Sequence, residues 1–184
     1  MTRVAVFGQF YHKGSEHFIE IILETLFAQG IQVCMIRELW DLLETHEISI
    51  AHAERLEIIE TPDADLDFFI SVGGDGTMLK AATYVRDLNI PIVGINTGRL
   101  GFLSTIPKEA IADELTKLIS GAYRISKRTL IRVETPGLGA AGEHWNFALN
   151  EVSINRKDST SMIRVDVWVD EEHLNTYWSD GLIV

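Results

Sequence analysis

The sequence predicts an α/β domain built on a parallel sheet, followed by an incomplete antiparallel β domain. Between Val4 and Gly121, apolar strand-like runs alternate with stretches of helical periodicity, and this order is typical of a parallel sheet flanked by helices. Residues 163–170 instead alternate apolar and polar side chains over eight positions, which is typical of a strand with one buried face. The two domains are therefore expected at residues 1–122 and 123–184.

The first elements are predicted from apolar periodicity and from the residues that start and end helices. Ser15 is expected to cap the first helix, whose inward stripe includes Ile22 and Leu26, and Gly30 is expected to end it. The predicted elements are a strand at 4–8, this helix, a strand at 31–36, a short helix at 37–46 and a weakly patterned acidic segment at 47–67 with a short strand or loop.

The stretch around Asp75 combines a buried strand, a glycine-rich turn and the start of a helix. Residues 68–72 form a strand-like run, and three glycines within the next four positions give a tight turn that a ligand can approach closely. A helix predicted at 77–86 would direct its first N–H groups towards this turn, which suits a phosphate. A carboxylate at this position repels phosphate, so its presence suggests a function such as accepting a proton, holding a metal ion or bonding a sugar hydroxyl. Asp75 is therefore a candidate functional residue. The alternative interpretation is that Asp75 caps the helix.

A second glycine-rich turn is predicted at the end of the next strand. Residues 91–96 read as a strand, residues 96–101 as the turn, and a helix is expected from Pro107 to Gly121. In parallel sheets, ligands bind beyond the carboxyl ends of the strands. The sequence therefore places both turns on one rim of the sheet.

Residues 123–184 are predicted to form antiparallel β structure. In order, 123–134 alternates imperfectly, 136–142 reads as a flexible connection, 145–154 as extended, 163–170 as a strand, 170–173 as a turn, 174–178 as a returning strand and 179–184 as an apolar strand. About 60 residues of such strands are thin for a stable β domain. We therefore expect a truncated product.

Composition excludes several classes of function. The formal net charge of −11 disfavours a nucleic-acid partner, which would require a basic face. No apolar run approaches the ~20 residues of a membrane helix, no signal peptide precedes the first strand, and the six histidines show no metal-ligand spacing. The single cysteine, Cys34, fits a reducing compartment. We expect a cytoplasmic protein with no membrane partner and no metal held by its own side chains.

Four motifs, taken together and in this order, carry a family resemblance. They are Gly73-Gly74-Asp75-Gly76-Thr77, the segment 96–104 (Asn-Thr-Gly-Arg-Leu-Gly-Phe-Leu-Ser), the pair Asn150-Glu151, and Ser179-Asp180-Gly181. The set resembles the ATP- or polyphosphate-dependent NAD kinases. The chain ends just before the Thr-Pro-Thr-Gly-Ser-Thr-Ala-Tyr motif of that family. The resemblance implies a Rossmann-like α/β domain followed by a β-sandwich-like domain.

The resemblance also implies a reaction and a set of partners. The γ-phosphoryl group of ATP would pass to the 2′-hydroxyl of the adenosine ribose of NAD, which gives NADP. Asp75 would be the catalytic residue that accepts the hydroxyl proton or orients the hydroxyl, and Mg²⁺ or another divalent cation would bridge the ATP phosphates. Family members assemble as homodimers or tetramers through the C-terminal portion that this chain lacks.

Two groups of binding residues follow from the resemblance. NAD would be bound by Asp75, Gly76, Phe102, Asn150, Glu151 and Asp180. The phosphates of ATP would lie against Gly73, Gly74, Thr77 and Lys80. For Lys80, the alternative is an ordinary solvated lysine on a helix.

Three other functions stay open from the sequence. Lipid kinases of the diacylglycerol or sphingosine type share a Gly-Gly-Asp-Gly turn, but the 96–104 segment, the acidic charge and the Asn150-Glu151 pair argue against them. An inactive nucleotide-binding fragment would result if the absent C-terminal portion is required for activity. Sugar kinases of the phosphofructokinase type also use a Gly-Gly-Asp turn.

Overall fold

The computed structural model describes residues 1–9, 14–98, 101–134, 147–157 and 160–184. The chain divides into two compact units, Met1–Ser126 and Lys127–Val184, called here the first and second unit. Within the described residues, no helix combines the length and the apolar character that crossing a membrane would demand.

The first unit is built on a six-stranded parallel sheet with the strand order β3-β2-β1-β4-β5-β6. The strands are β1 (Arg3–Gly8), β2 (Gln32–Ile36), β3 (Glu57–Ile59), β4 (Phe68–Gly73), β5 (Ile92–Asn96) and β6 (Ile106–Pro107). The helices are α1 (Glu16–Ala28), α2 (Arg37–Thr45), α3 (Asp75–Val85) and α4 (Ile111–Ile119), with 3₁₀ turns at Ala53–Arg55 and Lys108–Ala110. This order is that of a Rossmann-like, doubly wound sheet, so the predicted fold class of the first unit is confirmed.

Both faces of the sheet are buried, which explains why its strands read as nearly continuous apolar runs. In β1, Val4 and Val6 belong to an apolar cluster with residues of α1, α2 and α4. The alternate residues Ala5 and Phe7 belong to a second cluster with residues of α3. Helix α3, which begins at the glycine turn, is therefore the helix that packs on this second face of the sheet.

The predicted helix ends are confirmed at two glycines, and the predicted helix starts are corrected at two residues. Gly30 and Gly121 have positive φ angles of 72° and 83°, and the amide after each bonds back to the last helical turn, as in a Schellman motif. Ser15 occupies the N-cap position of α1 but makes no side-chain capping bond there, since its backbone is already helical. Pro107 precedes a 3₁₀ turn, and α4 itself begins only at Ile111.

In the described residues of the second unit, there are three antiparallel two-stranded ladders. Its strands are β7 (Ile131–Arg132), β8 (Phe147–Ala148), β9 (Ser153–Asn155), β10 (Ile163–Val169), β11 (Glu172–Ser179) and β12 (Gly181–Ile183), paired as β7 with β8, β9 with β12 and β10 with β11. The predicted hairpin is confirmed, and its turn lies at Asp170 and Glu171, both with positive φ. Residues 123–134, which alternate imperfectly in the sequence, contain the two-residue strand β7. The connection predicted at 136–142 lies outside the described residues.

We predict that Ile22→Ala, in α1, lowers the free energy of unfolding of the first unit by about 2–5 kcal/mol, because it empties a fully buried position in the larger apolar cluster. Ile125→Ala is the matched control, since Ile125 is 56% exposed and exposed truncations usually change stability by about 0.5 kcal/mol or less. Urea denaturation of both variants measures the difference. Equal losses would contradict the assigned core.

Candidate functional site

The first glycine-rich turn and residues 96–98 of the second lie side by side at the carboxyl ends of β4 and β5. Gly73 is paired with Asn96 across these strands, and the Thr97 amide donates to the carbonyl oxygen of Gly73 at 3.3 Å. The prediction that both turns share one rim of the sheet is therefore confirmed. Beside β4 lies β1, which leads to β2 on the opposite side. The first turn thus stands at the topological switch point, where doubly wound sheets bind ligands.

Asp75 is the first residue of α3, and its carboxylate binds the segment that follows β5. Its Oδ2 atom accepts a hydrogen bond from the Phe102 amide at 2.8 Å. Its Oδ1 atom accepts bonds from the amides of Leu103 at 3.0 Å and Ser104 at 3.1 Å. The carboxylate thus connects the two turns, and the alternative interpretation of Asp75 as the cap of its own helix is wrong.

The helix begins at Asp75, two residues before its predicted start at residue 77. Gly74 occupies the N-cap position with an extended backbone (φ −105°, ψ −164°), and its carbonyl oxygen accepts the first helical bond from Met78. Glycine is well tolerated as an N-cap. An acidic residue in the first turn is also favourable, because the N-terminus of a helix carries partial positive charge.

The three amides lower the pKa of Asp75, and the Phe102 amide has the largest effect, because N–H donors stabilise the charged form of a carboxylate. Asp75 is therefore anionic at neutral pH. An ionised carboxylate offers about four lone-pair positions. Since Oδ1 accepts two bonds and Oδ2 accepts one, an acceptor position is left on Oδ2 for a donor such as a hydroxyl group.

Glycines allow the close approach of these segments. An ideal Cβ atom on Gly101 would lie 2.5 Å from Cγ of Asp75, and one on Gly94 would lie 2.7 Å from Cα of Ser104. Sequence reasoning included Gly101, Leu103 and Ser104 in the 96–104 motif but did not predict their contact with Asp75, and it gave Gly94 no role. The available signal was Gly94 itself, because an isolated glycine within a strand often marks a close backbone approach.

The other predicted residues of the first unit surround this contact. Phe102 is 95% exposed, Gly76 is exposed and Gly73 and Gly74 are half-buried. The side chain of Thr77 is buried and packs close to Gly73. This packing supports the conformation of the turn.

Lys80 lies on α3, with its Nζ atom 5.9 Å from the ring centroid of Tyr84. The Tyr84 hydroxyl donates to Oε2 of Glu38 at 2.8 Å. Burial, together with this carboxylate, raises the pKa of Tyr84 to about 12. Tyr84 is therefore a neutral hydrogen-bond donor, and the Lys80 ammonium group lies over its ring.

Three of the predicted NAD-binding residues lie in the second unit. Asn150 and Glu151 are exposed and precede β9. Asp180 precedes β12, is largely exposed, and pairs with Nη1 of Arg156 at 3.2 Å. Because β9 and β12 are antiparallel and the Arg156 amide bonds the Asp180 carbonyl oxygen, Asp180 lies at the far end of the ladder from Glu151. The separation along the strand is about 16 Å, at about 3.3 Å per residue.

The arrangement has no protein-only metal site in the part of the chain that the structure describes: no three His, Cys, Asp or Glu side chains there are grouped so as to hold an ion. A cation that accompanies phosphates can bind through one or two carboxylates and the phosphates themselves. The chemistry that this site supports is therefore the binding of a hydroxyl-bearing ligand next to a turn suited to phosphate.

Comparison with known proteins gives a consistent result. Residues 4–123 match the family model of the ATP-NAD kinase N-terminal domain. The chain is 39% identical to the NAD kinase of Christiangramia forsetii over 182 residues, which are 99% of this chain and 62% of that protein. It is 51% identical to the NAD kinase of Cytophaga hutchinsonii over 118 residues, which are 64% of this chain and 40% of that protein.

A solved structure shows the same fold. The crystal structure of yeast NADH kinase complexed with NADH matches with a TM-score of 0.76 and 19% identity, over 100% of this chain and 57% of that chain. The chain thus spans about 62% of the length of the curated relatives that it matches over nearly its whole length.

We predict that the carboxyl group of Asp75 titrates with a midpoint below the ordinary value of about 3.9. Because the folded-state pKa is lowered, the stability that Asp75 contributes is present above the unfolded-state value and is lost as the pH falls through the folded-state value. NMR titration of the Asp75 carboxyl carbon measures the midpoint. A midpoint at or above the ordinary value would mean that the three amide bonds do not persist in solution.

Proposed function

The chain belongs to the NAD kinase family, and from this premise we propose that the protein transfers the γ-phosphoryl group of ATP to the 2′-hydroxyl of the adenosine ribose of NAD, giving NADP. The chain spans 62% of its curated relatives, so the activity is proposed for the protein at the length of those relatives. The observation that supports the proposal most is the Asp75 carboxylate, which three amides keep anionic at the switch point while Oδ2 retains an open acceptor position.

In this proposal the ribose hydroxyl donates a hydrogen bond to Oδ2 of Asp75. The carboxylate orients the oxygen for attack on the γ-phosphorus and receives its proton as the new P–O bond forms and the bond to ADP breaks. The transition state of phosphoryl transfer is loose, so catalysis depends chiefly on positioning and on neutralising charge. A carboxylate with a lowered pKa suits that requirement, because it stays charged and fixed in place.

The ATP phosphates are proposed to lie over the backbone of Gly73 and Gly74, at the start of α3. Thr77 contributes to this turn through its packing against Gly73, and Lys80 supplies a cation from the same helix. Mg²⁺ or another divalent cation would enter with ATP and offset the charge on its phosphates. Asp75 needs no direct bond to that ion, since amide donors already occupy most of its acceptor positions.

NAD is proposed to contact Asp75, Gly76 and the exposed ring of Phe102 in the first unit. From the family resemblance, Asn150, Glu151 and Asp180 of the second unit are also proposed to contact NAD. Because Glu151 and Asp180 lie at opposite ends of one ladder, they would bind different parts of the dinucleotide. A cytoplasmic location and assembly as a homodimer or tetramer at full length are proposed with the same function.

For the 184-residue chain taken alone, nucleotide binding without turnover is a second candidate. Trp168 and Trp178 are largely exposed on the β10–β11 hairpin, as are Ile183 and Val184 at the end of the chain. A lipid kinase is not favoured by the family match.

We predict that a version extended to the length of the curated relatives forms NADP from ATP, Mg²⁺ and NAD, as measured with an NADP-specific dehydrogenase. The 184-residue chain is assayed in parallel. Product from the longer version only supports nucleotide binding without turnover for the short chain. Product from neither version would overturn the proposed function.

We predict that Asp75→Asn lowers kcat of the extended protein at least a hundredfold, since general base catalysis typically contributes about 10²–10⁴-fold. Asp87→Asn, at an exposed position just after α3, is the matched control and keeps the wild-type rate. Circular dichroism checks that both variants are folded. A loss below tenfold would remove Asp75 from the catalytic role.

A further inference from the structure

We propose that Asp75 has a second role, as a positioning residue: its carboxylate holds residues 101–104, called here the Phe102 loop, against the first turn of α3. Gly101 is the residue that permits this contact. The inference extends the proposed function, and it concerns a task other than accepting a proton.

The contact is made by three consecutive amides that converge on one carboxylate, those of Phe102, Leu103 and Ser104. Hydrogen bonds to an ionised acceptor are roughly twice as strong as bonds between neutral groups. Ser104 is fully buried, whereas Phe102, two residues earlier, is 95% exposed. The chain therefore passes from the surface into the core at the point where Asp75 binds it. The carboxylate thus determines where the Phe102 ring lies on the surface.

The Phe102 loop also has a second contact, with β5. Ser104 packs directly on Gly94 of β5, where even a methyl group would come within 2.7 Å of the Ser104 Cα atom. The loop is therefore held by two contacts, one with β5 and one with the Asp75 carboxylate. Together they leave little freedom for the backbone to shift while the three bonds remain.

Gly101 makes it possible to separate positioning from proton acceptance. A Cβ atom at this position would lie 2.5 Å from Cγ of Asp75, far closer than van der Waals contact. The carboxylate cannot turn aside without giving up its amide donors, because both of its oxygens are bonded. Gly101→Ala therefore breaks the contact while keeping the carboxylate, whereas Asp75→Asn changes both at once.

The two oxygens of Asp75 then have different tasks. Oδ1 accepts hydrogen bonds from Leu103 and Ser104, and its task is to hold the Phe102 loop. Oδ2, which accepts only from Phe102, also receives the substrate hydroxyl. One side chain thereby fixes the distance between the reacting hydroxyl and the Phe102 ring, so the contact acts on how NAD is held as well as on how it reacts.

The test measures amide hydrogen exchange by NMR in the 184-residue chain. In Gly101→Ala, exchange at residues 102–104 is expected to accelerate at least tenfold, which corresponds to about 1.4 kcal/mol, while the amides of Ile70 and Val72 in β4 keep their rates. The titration midpoint of Asp75 is expected to rise towards the ordinary value. Gly98→Ala is the matched control for both measurements, because a Cβ atom there meets no atom within 4 Å.

The extended protein supplies the second readout. Gly101→Ala is expected to lower kcat/KM for NAD at least tenfold, mainly through a higher KM, because the carboxylate that meets the hydroxyl is retained. Unchanged exchange at residues 102–104 in a folded Gly101→Ala variant overturns the positioning role, and so does faster exchange with an unchanged KM. If Gly101→Ala fails to fold, Asp75→Asn replaces it, and the Phe102 amide must then exchange faster. A wild-type extended protein that makes no NADP contradicts the proposed function, whereas the exchange measurement still decides the contact.

Discussion

One carboxylate, bonded by three consecutive amides, connects the two turns on which the candidate site depends. Asp75 and its partners are 27 to 29 residues apart in sequence. The parallel sheet brings them together, because β4 and β5 are adjacent and end at the same rim. The sheet places the two segments side by side, and the Asp75 carboxylate makes the hydrogen bonds that connect them.

This contact explains how an acidic side chain can belong to a turn that is suited to phosphate. Three amide donors disperse the charge of Asp75, and the N-terminus of α3 adds partial positive charge at the same point. A carboxylate without hydrogen-bond donors would repel the phosphates of a nucleotide. A carboxylate that accepts three amide hydrogen bonds can stay ionised and still direct its remaining acceptor position towards a hydroxyl group.

The two units contribute unequally to the functional assignment. The first unit contains the switch point, both turns and the match to the family model over residues 4–123. The second unit contributes three predicted NAD contacts on short ladders with several exposed apolar side chains. The family assignment therefore follows from the first unit, whereas the proposed activity is tied to a protein of the relatives' length.

The sequence by itself determined the alternation of strands and helices from β1 to β5, the glycine helix ends, the hairpin of the second unit and the family, but it did not predict β6. These features follow from local periodicity and from residues with restricted backbone preferences, which act over a few positions. The sequence also identified Asp75 as a candidate functional residue, because a carboxylate among glycines is locally unusual. It did not show which groups satisfy that carboxylate, nor why residues 94 and 101 are glycines. Only the tertiary structure decided these points, because they depend on the approach of segments that are distant in the chain and adjacent in the sheet.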